Sequence, residues 1–236
     1  MHSDEFFQAS HTPFDFSKYE TPYEDKRIKI LKGLIPLGYG RSAIDIGCGP
    51  GYFTRELSIK DWRTTAIDTD SQNIENAKRY SLQTQLGDAL GILMTFPESH
   101  YGLVLALEII EHMPKTYGKQ LLVEVNRVLA PNAKLIISTP NKYSPEGLKG
   151  YYYGEKIAGW GKWFAWDPTH VHIYSSFEII RLLKTVGFTI DRIIGYHYKG
   201  IFPMNNRGRP LLIKSERFPF NLLGFNIIIE CHKNTV

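Results

Sequence analysis

The sequence predicts an α/β protein built on a parallel sheet with helices on both faces. Two observations predict it: short apolar runs alternate with amphipathic stretches from Tyr23 to Cys231, and the first apolar run ends in a glycine loop. Strands that alternate with helices form parallel sheets, because each crossover helix returns the chain to the same side of the sheet. Sheets of this kind bind ligands outside the carboxyl ends of their strands.

Apolar periodicity gives the individual elements, and prolines are expected to end several of them. Pro36 ends the first helix, Pro131 is expected to end the fourth, and a capping box of Ser175 and Glu178 starts the last. The predicted helices are 23–35, 52–59, 71–80, 118–129 and 175–184, and the seven predicted strands are 43–46, 64–67, 84–86, 103–107, 135–138, 189–198 and 225–231.

Two irregular stretches interrupt this alternation. Residues 142–169 contain many aromatic side chains and several glycines, and residues 199–222 show no clear period. Both lie between sheet elements, so we expect insertions within a single domain, 1–236, rather than linkers between two. Long loops inside a domain are usually functional, and these two are expected to form a lid, with an N-terminal arm and helix over 1–40.

Composition excludes several classes of protein. Apolar residues make up 43% of the 236 residues and charged residues 22%, which is ordinary for a globular protein. The net charge of +4 suits an anionic substrate but falls short of a nucleic-acid-binding signature. Two scattered cysteines give no disulfide framework. We expect a cytoplasmic protein without a membrane span, since the polar N-terminus lacks an apolar signal region.

The glycine loop is the most informative stretch of the chain. Gly47, Gly49 and Gly51 follow a buried strand as G-x-G-x-G, whereas the dinucleotide fingerprint is G-x-G-x-x-G. Glycine lets the backbone turn tightly and approach a ligand closely. Asp45, just before the loop, is a poor neighbour for a pyrophosphate and suits a ligand with adenosine and a positive charge. We interpret Cys48 as a small residue that fits the turn.

At this point the sequence resembles the class I S-adenosylmethionine-dependent methyltransferases, and the resemblance covers most of residues 40–232. It implies a Rossmann-like fold with a mostly parallel seven-stranded sheet, an antiparallel last strand, and S-adenosylmethionine as cofactor. The cofactor-binding residues that it implies are Asp45, Gly47, Cys48, Gly49, Gly51, Asp68, Thr69, Asp88, Ala89 and Leu107.

Four of these positions have a specific expected role. Asp68, at the end of the second strand, can accept hydrogen bonds from both ribose hydroxyls. Asp88 matches the position that reads adenine, with the backbone N–H of Ala89 beside it, and Leu107 lies where the family places the methionine part. Aspartates also end strands simply because they favour turns, and for Asp70 we prefer that interpretation, as a helix N-cap.

A second motif, Glu108-Ile109-Ile110-Glu111-His112, directly follows the fourth strand. If this segment turns helically, Glu108, Glu111 and His112 share one face. Two carboxylates and an imidazole can hold a divalent ion with positions left open for substrate. Many methyltransferases of this class carry Glu-His here without a metal, so both alternatives stay open. Without a metal, Glu111 with His112 or His170 would act on the substrate, an imidazole being the best general base near neutral pH.

The motif resembles two families within this fold: the O-methyltransferases of ubiquinone biosynthesis and the small-RNA 2′-O-methyltransferases. The latter carry a later histidine, which His172 or His170 could supply, since alternate residues of an extended segment share a face. The metal set implied is Glu108, Glu111, His112 and His172, holding Mg²⁺ or a similar ion.

Three functional hypotheses follow. The first is O-methylation of a small molecule or of a glycan or lipid-linked intermediate. The second is RNA 2′-O-methylation, favoured by the Glu-x-x-Glu-His motif and by Ser138–Asn141, but opposed by the modest charge and the lack of an RNA-binding module. The third is a non-catalytic protein that binds S-adenosylmethionine. The intact glycine loop and the three acids argue against this last hypothesis.

Overall fold

The computed structural model describes residues 24–159, 161–162, 164–165, 167–196 and 214–234. They form one eight-stranded sheet, in the order β3-β2-β1-β4-β5-β8-β6-β7, with helices on both faces. The strands are β1 (Ser42–Ile46), β2 (Arg63–Asp68), β3 (Gln83–Leu86), β4 (Tyr101–Leu107), β5 (Leu129–Pro140), β6 (Phe188–Tyr196), β7 (Lys214–Ser215) and β8 (Asn226–Lys233). The helices are α1 (Glu24–Leu34), α2 (Tyr52–Ile59), α3 (Ser71–Ala77), α4 (Ala89–Leu93), α5 (Lys115–Val128), α6 (Pro145–Gly147) and α7 (Ser176–Thr185).

The strand directions confirm the predicted fold class. Strands β1 to β5 pair in parallel, and β8 runs antiparallel between β5 and β6. The sheet has one strand more than the seven predicted. This strand, β7, pairs two residues with Gly195 and Tyr196 at the end of β6. Two residues are too few to produce a hydrophobic period, so the sequence could not indicate it.

Both faces of the sheet are buried, which explains the continuous apolar runs. Successive side chains of a strand point to opposite faces. In β4, Val104 and Ala106 pack in the cluster that includes α4, α5 and α7, whereas Leu103 and Leu105 pack with α1 and α2. All four are essentially inaccessible to solvent, and each large apolar side chain buried in this way contributes about 1.5–3 kcal/mol.

The helix boundaries test the predictions made from capping residues and from prolines. Asp70 accepts hydrogen bonds from the first turn of α3, and Ser175 and Glu178 form the capping box of α7, so both predictions are confirmed. The prediction that Pro131 ends the fourth helix is wrong. Helix α5 ends at Val128, and Pro131 lies within β5, where the pairing with β4 shifts register. The short helix α4 was not predicted, because five residues give no clear period.

Asn141, at the end of β5, joins the two irregular stretches to the sheet. The side chain is fully buried. Its Nδ2 donates to the carbonyls of Leu222 and Gly224, at 2.8 and 3.0 Å. Its Oδ1 accepts from the backbone N–H groups of Tyr143 and Ser176, both at 3.0 Å. One amide therefore holds the start of the first stretch, the start of α7 that follows it, and the end of the second stretch.

The irregular stretches are only partly described. The first continues from α6 into a π-helical segment, Leu148–Glu155. Trp160, Trp163 and Trp166, the N-terminal arm over 1–23, and residues 197–213 of the second stretch lie outside the described residues. The single domain over 1–236 and the lid therefore stay predictions. Within the described part of the chain, no helix has both the length and the apolar character needed to cross a bilayer.

Candidate active site

The carboxyl ends of β1, β2 and β3 bring the glycine loop and the acidic residues to one edge of the sheet. The parallel register aligns Ile46 with Ile67, and Asp68 with Leu86. The loop after β1, Asp68 at the end of β2, and Asp88 two residues after β3 are therefore neighbours along this edge. This is the arrangement that binds a nucleotide-like ligand in open α/β sheets.

The loop needs glycine for two different reasons. Gly51 has φ = +91°, and a Cβ there would lie 2.9 Å from the Cα of Ala77 in α3, so a side chain would push the loop off the helix. Gly49 has φ = +52°, yet a Cβ there would meet no atom within 4 Å. Open space over Gly49 lets a ligand lie directly against the backbone.

Asp68 holds the loop in place. Its Oδ2 accepts a hydrogen bond from the backbone N–H of Gly49 at 2.8 Å, and its Oδ1 accepts from the N–H of Asp70 at 2.9 Å. A carboxylate has about four acceptor positions, so Asp68 can still accept from a ligand. The side chain is partly exposed, which leaves it accessible from the crevice.

Asp45 lies beneath the loop and is almost fully buried, with 3% exposure. Its pKa is raised to about 7, chiefly by burial and also by the charge of Asp68, while a hydrogen bond of 2.7 Å from the Thr54 hydroxyl lowers the pKa. A carboxylate in this environment is costly to ionise. Its link to α2 through Thr54 gives Asp45 a structural contact beside the predicted cofactor role.

Asp88 is held by two donors from two helices. Its Oδ2 accepts from the backbone N–H of Gly91 at 2.8 Å, which caps α4, and its Oδ1 accepts from the hydroxyl of Tyr117 in α5. The carboxylate itself is exposed at the sheet edge, and Ala89 beside it is buried. Nothing in the sequence indicated Tyr117, because its partner lies 29 positions away.

The other predicted cofactor residues also lie at this edge. Thr69 is exposed directly after β2, and Leu107 ends β4. Cys48 is buried within the loop, where its Sγ donates weakly to the Gly49 carbonyl at 3.3 Å. Burial raises the pKa of the Cys48 thiol, and the charges of Asp45 and Asp68 raise it further. The thiol is therefore protonated and unreactive.

A second group of side chains forms after β4. One donor atom each from Glu111, His112 and His170 lies within 4.8 Å of the other two. Glu111 and His112 belong to a 3₁₀ turn, Ile110–His112. The carbonyl of Glu111 accepts from the backbone N–H groups of Val171 and His172, at 2.8 and 3.0 Å. These two bonds hold residues 171–172 against the turn, and so place the preceding residue, His170, beside Glu111 and His112.

The carboxylate of Glu111 is only half satisfied. The side chain is fully buried, and its Oε2 accepts from the Thr139 hydroxyl at 3.0 Å. Its Oε1 is also buried and has no hydrogen-bond partner among the described residues. Burial, and then the charge of Glu108, raise the pKa of Glu111 well above its ordinary value. A buried oxygen of this kind needs a proton, a water or a cation.

Hydrogen bonds fix both histidines in the same tautomer. Thr169 Oγ1 lies 2.6 Å from Asp167 Oδ1 and 3.0 Å from His112 Nδ1. The hydroxyl has one proton, which it donates to the carboxylate, so it accepts from Nδ1–H of His112. His170 Nδ1 lies 2.7 Å from the Phe164 carbonyl, which can only accept. Both rings therefore present Nε2 as a free lone pair when they are neutral.

The electrostatics favour neutral His112. Burial lowers its pKa below the ordinary value, the charge of His170 lowers it further, and Asp167 opposes them. Burial alone would raise the pKa of Asp167, but hydrogen bonds from Thr169 outweigh burial and lower it. At neutral pH the group therefore contains an imidazole able to accept a proton or to bind a cation.

Glu108 and His172 are not brought into this group, in contrast to the predicted metal set. Glu108 has φ = +53°, so the segment is not helical there and the expected shared face does not form. Its carboxylate accepts from Ser138 Oγ and Asn226 Nδ2, both at 2.7 Å. His172 packs edge-on against Tyr174, with ring centroids 4.5 Å apart. Of the two candidates for the later histidine, the structure places His170 beside Glu111.

The two groups are neighbours. Ile109, between Glu108 and the 3₁₀ turn, covers the first glycine of the loop, and a Cβ on Gly47 would lie 2.7 Å from its Cδ1. The turn that carries Glu111 and His112 therefore starts next to the glycine loop. Sequence reasoning missed Thr139 and Thr169, which orient these two side chains. The spacing Asp167-x-Thr169 is a usable signal, because an aspartate at this spacing favours an Asx turn. In the structure, the Thr169 backbone N–H donates to Asp167 Oδ1 at 2.8 Å.

Comparison with solved structures gives the same fold. A S-adenosylmethionine-dependent methyltransferase of Thermotoga maritima, described as a possible histamine N-methyltransferase, superposes with a TM-score of 0.65 at 17% identity, covering 93% of this chain and 92% of that one. One from Archaeoglobus fulgidus gives 0.65 at 17%, covering 92% and 97%. At such identities the likeness shows the fold alone.

Comparison of sequences shows the family. A family model of the methyltransferase domain matches residues 18–193. The chain therefore belongs to the class I S-adenosylmethionine-dependent methyltransferases, a family of enzymes, as the glycine loop predicted.

Two relatives are both named ubiquinone biosynthesis O-methyltransferase. That of Rickettsia canadensis is 30% identical over 164 residues, which are 66% of this chain and 65% of the relative. That of Rickettsia typhi is 31% identical over 161 residues, 64% and 61%. The chain thus spans a little less than two thirds of the length of these relatives.

Proposed function

We propose that this protein transfers a methyl group from S-adenosylmethionine to a hydroxyl oxygen of a small molecule or of a glycan or lipid-linked intermediate. The observation that carries the proposal is the cluster of Glu111, His112 and His170, whose turn follows Ile109, the residue that covers Gly47 of the glycine loop. The loop and the acids would hold the donor, and the group after β4 would receive the proton of the acceptor.

The residues at the sheet edge fit this donor. The open space over Gly49 admits close approach of a ligand. Beside its bonds from Gly49, Asp70 and the Asn73 amide, Asp68 retains about one acceptor position for a ribose hydroxyl, and Asp88 can accept from the adenine amine. The carboxylates of Asp68 and Asp88 would repel a phosphate but suit a cationic sulfonium. A phosphorylated dinucleotide therefore fits this edge poorly.

In the proposed reaction the acceptor oxygen attacks the donor methyl in line with the sulfur. An O–CH₃ bond forms, the S–CH₃ bond breaks with its electron pair going to sulfur, and S-adenosylhomocysteine leaves. The hydroxyl proton passes to Nε2 of His112 or His170, whose Nδ1 protons are fixed by Thr169 and the Phe164 carbonyl. Most of the rate enhancement comes from positioning.

As the alternative to a histidine base, we propose that the same group holds a divalent metal ion, since each Nε2 can either take the proton or bind a cation. The buried Oε1 of Glu111, which has no hydrogen-bond partner among the described residues, is an oxygen that a cation would satisfy. A set of two imidazoles and one carboxylate suits Mn²⁺, Fe²⁺ or Zn²⁺ better than the all-oxygen preference of Mg²⁺. Glu111, His112 and His170 would hold the ion, and a bound ion would lower the pKa of the acceptor hydroxyl and orient it.

Methylation of oxygen is supported by the names of the Rickettsia relatives, which are O-methyltransferases. It is also supported by the chemistry of the site, since a hydroxyl is a weak nucleophile that needs a base or a cation, and the group of Glu111, His112 and His170 could supply either one. Cytoplasmic location and methylation of an RNA 2′-hydroxyl stay predictions, the second being the alternative reaction.

Calorimetry with S-adenosylhomocysteine tests the donor site first. We expect micromolar binding, with no binding of NAD as the control ligand. Failure to bind S-adenosylhomocysteine would refute the proposed function altogether. Binding of NAD with equal affinity would contradict the assignment of the crevice.

Transfer of a tritiated methyl group to fractions of a cell extract then tests the acceptor. We expect label in the small-molecule or glycan fraction, and label in RNA would favour the alternative. Glu111→Gln should reduce transfer by two orders of magnitude or more, whereas Glu98→Gln, an exposed acid before β4, should not. Full activity in EDTA would remove the metal from the proposal and leave the base.

A further inference from the structure

The hydrogen bond between Tyr117 and Asp88 joins two helices at the adenine end of the crevice. Tyr117 lies in the first turn of α5, and Asp88 caps α4. The Tyr117 hydroxyl donates to Oδ1 while the Gly91 N–H donates to Oδ2 at 2.8 Å. A hydrogen bond to an ionised carboxylate is about twice as strong as one between neutral groups.

The cap of α4 does not depend on this contact. The bond from Gly91 already caps α4, and Tyr117 is only half-buried, so its hydroxyl could bind water instead. What the contact adds is orientation. The Asp88 carboxylate is exposed, and an exposed Asp held by a single cap bond can still change rotamer. Two donors on different helices, one to each oxygen, hold the Asp88 carboxylate in a single orientation.

The donor role of Tyr117 holds across the ordinary range of pH. Burial raises the pKa of the hydroxyl, and the hydrogen bond and charge of Asp88 raise it further, while the backbone N–H of Leu90 opposes them. The hydroxyl therefore keeps its proton, and Asp88 stays the acceptor in this pair. The remaining acceptor positions of Asp88 are available to a ligand.

We propose that Tyr117 is a positioning residue that orients Asp88 toward the 6-amino group of the donor's adenine and so makes the enzyme select 6-amino over 6-oxo purines. This inference rests on the proposed function, since it deepens the adenine subsite of the same crevice. An ionised carboxylate only accepts, so it binds an amine and repels a keto oxygen. A fixed carboxylate cannot turn away from the keto oxygen, whereas a mobile one can.

Selectivity therefore depends on the rigidity that Tyr117 supplies. A site built around a fixed polar group rejects the analogue that leaves the group unpaired far more strongly than a site that adapts. Removing the hydroxyl should weaken the 6-amino ligand and at the same time relieve the penalty on the 6-oxo ligand. A purely structural role would weaken both ligands by the same factor.

The experiment measures affinity for S-adenosylhomocysteine and for its deaminated analogue, S-inosylhomocysteine, by calorimetry. The wild-type protein should prefer the adenosyl compound by about a hundredfold. In Tyr117→Phe, which keeps the ring, the adenosyl compound should bind roughly fivefold to tenfold more weakly, and the preference should shrink to about tenfold or less. Tyr80→Phe, beyond the end of α3 and before the amino end of β3, should change neither value.

Each outcome decides something different. If the wild-type protein does not bind S-adenosylhomocysteine, both the inference and the proposed function are overturned. Normal binding with an unchanged preference in Tyr117→Phe would overturn the inference alone. An equal loss for both ligands would reduce Tyr117 to a structural role. Asp88→Asn should abolish the preference and make Tyr117→Phe silent in that background, because the amide can donate as well as accept.

Discussion

The two halves of the candidate site are assembled in different ways. The cofactor half is built from residues that directly follow β1, β2 and β3, and its bonds, such as Gly49 to Asp68, join neighbouring strand ends. The acid–histidine half joins a turn after β4 to the segment Asp167–His172, through the backbone of Glu111. The first half follows from the sheet itself, whereas the second depends on tertiary contacts between distant segments.

The difference also appears in how each half satisfies its polar groups. Asp68 and Asp88 have protein donors on both oxygens and face the crevice as oriented acceptors. Glu111 is buried with one oxygen that lacks a partner in the described part of the chain. We conclude that the cofactor half is preorganised, and that the acid–histidine half is completed only by a proton, a water or a cation.

The largest expected effect is on the cofactor half. Asp68→Ala removes the acceptor proposed for the ribose and also the anchor of Gly49. We expect affinity for S-adenosylhomocysteine to fall at least about a hundredfold in calorimetry. The matched control, Asp70→Ala, removes only the cap of α3 and should cost about 1 kcal/mol of stability with little change in affinity. Unchanged affinity in Asp68→Ala would refute its ribose role.

The next expected effect concerns Asn141, which joins the irregular stretches to the sheet and should contribute strongly to stability. Asn141→Ala removes four hydrogen bonds of a fully buried amide and leaves their backbone partners unpaired. We expect the free energy of unfolding in urea to fall by about 3 kcal/mol. Gln120→Ala, on the exposed face of α5, should change it by less than about 0.5 kcal/mol. Equal stabilities would mean that the irregular stretches are held elsewhere.

The pH dependence of stability should distinguish Asp45. Its folded pKa, about 7, lies above the ordinary value of 3.8, so the folded state holds a proton that the unfolded state has lost. Stability is therefore lost as pH rises between these values. Because Asn cannot ionise, Asp45→Asn should not show this loss. Its free energy of unfolding relative to wild type should rise by about 2–3 kcal/mol as the pH increases from about 5 to about 8.

Urea titrations of both proteins at several pH values measure this difference. Asp61→Asn, at the exposed turn before β2, serves as the control and should follow the wild-type curve. Parallel curves for wild type and Asp45→Asn would show that Asp45 is ionised in the folded protein and that the loop tolerates its charge.

The smallest expected effect concerns the orientation of His112. Thr169→Val removes the hydroxyl that joins His112 to Asp167. We expect calorimetric affinity for Mn²⁺ to fall by about tenfold, as for other partners of metal-binding histidines. Thr185→Val, whose hydroxyl only binds the Arg181 carbonyl, should bind Mn²⁺ as the wild type does. Equal affinities would show that Thr169 does not orient the imidazole toward a metal.

The common location of the glycine loop, Asp68 and Asp88 at one sheet edge could be predicted because strand ends, glycine spacing and acidic residues are all local signals, whereas their roles toward a cofactor stay predictions. It placed Glu108 wrongly because a residue with positive φ cannot be recognised in a Glu-x-x-Glu-His pattern, and this single backbone angle redirects the carboxylate toward Asn226. The later histidine stayed ambiguous because the run 167–172 contains a turn, so its alternate side chains do not share a face. Tyr117 left no signal, since its contact joins two separate helices.

The amide of Asn141 has a consequence for how this enzyme can change. The first irregular stretch begins beside this residue and is followed by α7, whose first residue, Ser176, donates to the same amide, and the second stretch ends at the Leu222 and Gly224 carbonyls that the amide binds. Three chain segments that are distant in sequence are therefore held at a single point. A substitution at Asn141 would act on all three segments at once, whereas a substitution within either stretch would act only locally.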